Sequence, residues 1–128
     1  MGNDSRLTTF LIPLGTQGKT GSSFEILRFE ATGNGFKLPA GLAGARIGSR
    51  VAAAAAAVFS VRKNTTEIGT ISWAIGATRA TIAGFATETT FAPSANQNSA
   101  GDVLIVVAPA IVDANLSDIA GNFLAVMS

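Results

Sequence analysis

The sequence predicts an all-β chain: an antiparallel β-sandwich, jelly-roll or immunoglobulin-like in plan, of about seven or eight strands with an extended N-terminal arm. Two observations carry this expectation. Short apolar segments with two-residue alternation recur along the chain, separated by glycine, asparagine and proline. Their number and spacing suit a sandwich or barrel rather than alternating β/α units. A length of 128 residues bounds the chain to one domain, divided here into an N-terminal arm and first edge strand (1–22) and the sandwich (23–128).

Thr8 to Leu14 reads as an edge strand, because Pro13 cannot donate to a ladder. Gly15 to Gly21 reads as a flexible loop. Ser23 to Ala31 alternates with apolar groups on both faces, so a strand is expected there. Asn34-Gly35 is a strong turn signal, after which Phe36-Lys37-Leu38 extends as far as Pro39. Six consecutive alanines, 52–57, have high helix propensity but no amphipathic pattern, and a helix this short is marginal alone. A long strand from Val51 into Val58-Phe59-Ser60-Val61-Arg62 is favoured over a short helix. Ile71 and Trp73 share one face of the next strand, Gly76-Ala77-Thr78 turns, and Ala80 and Ile82 form the inward set of Arg79 to Phe85. Phe91 to Gly101 is a polar loop, Val103 to Val107 a continuous apolar strand, and Asn115 to Val126 a closing strand.

Composition narrows function. With no Cys and no His, the chain has no disulfide, no thiolate nucleophile, no imidazole base and no ordinary zinc site. Alanine, glycine, threonine and serine supply 60 of the 128 residues, against eight Phe and one Trp. Such small side chains cannot fill a thick core, so burial against other subunits is expected. Mean hydropathy is +0.41, yet no long apolar stretch is free of charges and turn residues, and no membrane span is expected. The first six residues, with a charge of each sign, do not read as a secretory signal. Charge is uneven along the chain: residues 1–63 sum to +5 and residues 64–128 to −4. That split permits head-to-tail complementarity between copies, or it vanishes if the halves interleave in space. Basic residues stand singly apart from Arg62-Lys63, so nucleic acid is not expected as a partner.

Each motif has a plainer reading. Gly18-Lys19-Thr20 resembles the end of a phosphate-binding loop, but Pro13 stands where glycine is required and no helix pattern follows. Asp102, Asp113 and Asp118 are candidate oxygen ligands for calcium, although their spacing fits turn and capping chemistry better. Glu67, Glu88 and Asp102 are the candidate carboxylates for glycoside hydrolysis, with nothing suggesting a cleft. Asn3, Asn64 and Asn115 begin glycosylation-type triplets that read as chance matches without a secretion signal. Trp73, beside an alternating Ile, reads as a core residue before a sugar platform. No catalytic, cofactor-binding or metal residue is assigned, and no cofactor is expected.

Phe36-Lys-Leu-Pro-Ala-Gly-Leu42, Phe59-Ser-Val-Arg-Lys-Asn64, Ile68-Gly-Thr-Ile-Ser-Trp73 and the segments from Ala100 to Ala110 and Ala114 to Ile119 resemble a β-sandwich module of tailed-bacteriophage virion proteins. The similarity spans about residues 36–120, over turns and strand edges. One departure stands out: where the family closes its hairpin with glycine, this chain has Thr65, so a longer loop through Glu67 is plausible. The resemblance implies a non-enzymatic virion structural protein. The expected form is a capsid decoration or cement protein that binds the major capsid protein or other virion proteins on the capsid exterior, as a homo-oligomer (trimer or dimer). The alternative is a tail-fibre, baseplate or receptor-binding module whose 91–101 loop, with Asn96 and Asn98, contacts host polysaccharide.

Overall fold

The computed structural model describes residues 9–127. Among them are ten strands: β1 (Thr9–Gly15), β2 (Glu25–Glu30), β3 (Phe36–Leu38), β4 (Arg46–Val51), β5 (Ala57–Lys63), β6 (Thr66–Trp73), β7 (Thr81–Gly84), β8 (Thr89–Phe91), β9 (Val103–Val107) and β10 (Ser117–Met127). They form two five-stranded antiparallel sheets, the sandwich that the alternation predicts. The strand number exceeds the expected seven or eight because Arg46–Val51 (β4) and Thr89–Phe91 (β8), neither of them among the expected strands, also pair into the first sheet.

One sheet is built around β10. One side of it pairs with the whole of β1, from Thr9↔Val126 to Gly15↔Ala120. Its other side pairs with β4 over Ser117 to Asn122 and with β3 at Val126 and Met127, and β8 extends that edge beyond β3. The second sheet runs β2-β9-β5-β6-β7. β1 is an edge strand of the first sheet, as Pro13 requires. Beyond β1 the chain is tied down: Ser23 N–H donates to Pro109 O at 3.1 Å, and the Ser22 hydroxyl donates to Ala110 O. Residues 1–8, the rest of the expected arm, lie outside the described residues.

Registers define two ends. The upper end carries the β1–β2, β4–β5, β6–β7 and β9–β10 connections; the lower end carries the β2–β3, β5–β6 and β8–β9 connections. Between the sheets, alternate residues of each strand point inward. Ile12, Leu14, Ile47, Phe59, Val61, Ile71, Leu104, Val106, Ile119 and Phe123 are buried in one cluster. Aromatic rings concentrate in two places. Near the lower end Phe36 stacks on Phe91 at 4.7 Å and meets Phe10 and Phe29 edge-on at 5.9 and 5.5 Å. Nearer the upper end Trp73 packs on Phe59 at 5.3 Å. Trp73 is thus a core residue, not a sugar platform; its indole N–H is buried and meets no protein acceptor.

Two local readings are corrected. The alanine run is neither strand nor helix: Ala52 to Ala56 form the β4–β5 connection, and β5 starts at Ala57. The run turns here because its amides bond to partners distant in sequence, as described below. At the β5–β6 hairpin the loop is two residues, with Lys63 paired to Thr66, not a longer loop through Glu67. Thr65 is tolerated because the positive φ falls on Asn64 (58°), and asparagine adopts that conformation more readily than a β-branched residue.

Glycine matters structurally where side chains cross the backbone. Gly69 lies opposite Gly84, and the Phe85 ring folds back over it, so that a Cβ on Gly69 would fall 2.3 Å from the ring.

Candidate functional site

The three aspartates proposed as cation ligands lie apart, and each braces backbone. Asp113, in the β9–β10 connection, accepts four backbone N–H groups: Ala54 and Ala55 at 2.9 Å, Asn115 at 2.9 Å and Leu116 at 2.7 Å. These amides, the Ala54 N–H foremost, hold its carboxyl far below the ordinary range by favouring the charged form. Beside them Gly76 N–H donates to Ala53 O at 2.8 Å. The alanine run is therefore stapled between the β9–β10 and β6–β7 connections. Its amides have partners without forming a helix.

Asp102 does the corresponding work at the lower end. Its carboxylate accepts Ala92 N–H at 2.9 Å and the Asn64 side-chain amide at 3.1 Å, with Lys63 Nζ at 3.6 Å. The Ala92 and Asn64 hydrogen bonds, followed by the Lys63 charge, lower its pKa against an opposing desolvation. Asn64 completes the join: its Oδ1 accepts Val103 N–H at 3.0 Å, and its own N–H donates to Val103 O at 2.8 Å. Lys63 also lies over the Phe91 ring, 5.9 Å from its centre. Asp118 exchanges hydrogen bonds with Gly18: Gly18 N–H donates to its Oδ1 at 2.7 Å, and its own N–H donates to Gly18 O at 2.9 Å. Among the described residues no group of three or more acidic side chains is placed to hold a metal ion.

The other motifs are dispersed as well. Gly18-Lys19-Thr20 lies in the β1–β2 connection with no helix after it, so the helix N-terminus a phosphate loop needs is missing there. Of the candidate acid–base carboxylates, Glu67 accepts the Ser60 hydroxyl at 2.7 Å, Glu88 faces Lys37 at 3.7 Å, and Asp102 is committed as described. Asn64 of the glycosylation-type triplet is the hinge of the Asp102 network. Among the described residues no helix is long and apolar enough to cross a membrane.

Among the described residues three surfaces stand out as candidates for binding. The first is apolar. Of the exposed large hydrophobic side chains among the described residues, Phe24, Val51, Val58, Ile75 and Ile111 belong to the upper half, with Ile75 at 75% and Ile111 at 88% exposure; only Leu11 and Met127 lie elsewhere. The second is a groove of mixed polar and apolar lining, about 480 Å³, at the lower end, between Thr32-Gly33 and the Ser94 to Ser99 loop, with Glu30 at its side. Asn96 lines this groove, but its Oδ1 already accepts Asn98 N–H at 2.9 Å, and Asn98 is not among the lining residues. The third is a cleft of about 520 Å³ beside Arg50 and Arg79.

The charge split along the chain closes only in part in space: first-half Lys37 and Lys63 pair with second-half Glu88 and Asp102, whereas Arg28 pairs with first-half Glu25. The sequence suggested turn chemistry at Asp113 to Asp118. It did not reveal that Asp113 reaches the alanine run or that Asp102 joins Asn64, because both pairings span the fold. No family model, curated protein or solved structure matches the chain.

Proposed function

We propose that this chain is a non-enzymatic bacteriophage virion structural protein, acting as a capsid decoration or cement protein that binds the capsid lattice as an oligomer. The observation that carries the reading is the apolar upper end: Val51, Ile75 and Ile111 stand exposed around a loop of alanines whose bracing carboxylate, Asp113, is engaged by four amides. Exposed apolar patches of this kind mark surfaces covered in an assembly. A repeating lattice multiplies modest single contacts into firm attachment. Small residues let another backbone approach closely. The resemblance to tailed-phage modules supplies the phage context.

In this reading β1 belongs to the rigid body, so only residues before Thr9 remain for an arm. Two measurements test it. Mass measurement in solution should show an oligomer that Ile75→Asp or Ile111→Asp weakens. Copy number in purified particles should match the shell's repeat. A monomer unaffected by either change, or a few copies confined to the tail, would overturn it.

The second reading is a tail-fibre, baseplate or receptor-binding module that contacts polysaccharide through the lower groove. The observation in its favour is the hydroxyl and amide lining from Thr32, Ser94, Asn96 and Gln97. Glycan-array binding lost in Gln97→Ala, with no effect of Ile111→Asp, would select this reading over lattice binding.

A further inference from the structure

The outer face of β4 carries a row of arginines that the pairing of charges elsewhere leaves over. Arg46, Gly48 and Arg50 point to the same face, at about 6.6 Å steps along an extended strand. Gly48 forms an antiparallel bridge with Arg79, which puts Arg79 on that face, and the Arg79 guanidinium rests over Gly48: a Cβ there would lie 2.5 Å from its Nη1. The row is therefore Arg46, Arg79, Arg50, with the middle cation supplied from another segment. Among the described residues none of the three has a carboxylate within ion-pair distance. Arg46 donates to Ala45 O, and Gly48 and Ala120 give the cleft beside Arg50 and Arg79 a floor without bulky side chains.

We infer that this face is a docking site for an extended acidic segment of a partner protein, one with carboxylates at every second residue. The argument is charge complementarity with matching repeat. Alternate side chains of an extended peptide recur at the same spacing as the guanidinium row, and arginine's planar fork suits carboxylates. Asp118, which lines the cleft, sets its limit, since a second carboxylate placed beside it is repelled. The inference stands apart from the lattice reading, because it concerns a different face and is read on the isolated protein.

The test is fluorescence anisotropy of a labelled heptapeptide with glutamate at every second position, titrated with the full chain at low and physiological salt. Binding should weaken as salt rises. Each of Arg46→Gln, Arg50→Gln and Arg79→Gln should reduce affinity about two- to fivefold, and the triple change about tenfold or more, as exposed ion pairs allow. Arg28→Gln, on the other sheet and already paired with Glu25, should leave binding unchanged. Asp118→Asn keeps an oxygen for Gly18 and removes the repelling charge, so it should tighten binding about twofold. Absence of binding at low salt overturns the inference, as does unchanged affinity in a folded triple variant. Equal binding of a peptide with the same glutamates in one block, or of a sulfated oligosaccharide, also overturns it, by showing an unselective anion patch.

Discussion

The two ends of the sandwich solve one problem with different chemistry. Each must hold distant connections together, and each uses an aspartate whose oxygens accept backbone amides. At the upper end Asp113 relies on four N–H groups alone. At the lower end Asp102 shares its charge among one amide, the Asn64 side chain and Lys63. The difference bears on what each end can meet. A carboxylate satisfied by amides needs no counter-cation, so the surface around Asp113 can stay apolar. The lower end carries a lysine, an asparagine and a groove with hydroxyl and amide groups in its lining, and suits hydrated partners.

The largest expected effects test the two aromatic clusters beneath those ends. Trp73→Ala should cost about 3–5 kcal/mol in denaturant unfolding, and Phe91→Ala about the same. A clearly unequal pair would show that one end dominates the fold. Trp73→Phe keeps most of the packing and removes a buried donor without a protein partner, so its cost should stay below about 1.5 kcal/mol. Gly69→Ala should cost about 1–3 kcal/mol, because the Phe85 ring must leave its place; a neutral result would mean that the ring moves freely.

Acid should separate the ends. Both aspartates have folded pKa values below the ordinary one. Their contribution to stability is therefore complete above the unfolded value of about 3.9 and is lost as pH falls through the folded values. The Asp113 carboxyl is held far below the ordinary range, so the Ala92 amide resonance should shift at higher pH than those of Ala54 and Ala55 in an NMR titration. Simultaneous shifts would mean that the two networks are equally strong. The smallest effect is expected at the hairpin: Thr65→Gly should change stability by no more than about 0.5 kcal/mol, since Thr65 already has an ordinary φ. A clear gain would mean that the turn is strained.

What could be read in advance divides along the same lines. Alternation in Phe59-Ser60-Val61 and Ile71-Ser72-Trp73 identifies inward faces because side-chain direction is a local property of a strand. Pro13 marks an edge for an equally local reason. The alanine run resists such reading: the state of Ala54 and Ala55 is decided by Asp113, which lies far along the chain. Asn64 likewise appears as a turn residue, while its bonds to Asp102 and Val103 depend on the β5–β9 pairing. The arginine row is hidden for the same reason, since Arg79 joins Arg46 and Arg50 only through its bridge to Gly48.

The central position of β10 bears on how the chain reaches this state. β1, β3 and β4 precede it by long stretches of sequence, and all three pair with it. During synthesis that sheet can only be completed after β10 has left the ribosome, with β1 and β4 waiting as unpaired edges. Closing such long loops late makes for slow, cooperative assembly, and the waiting strands are exposed to wrong partners until the last one arrives.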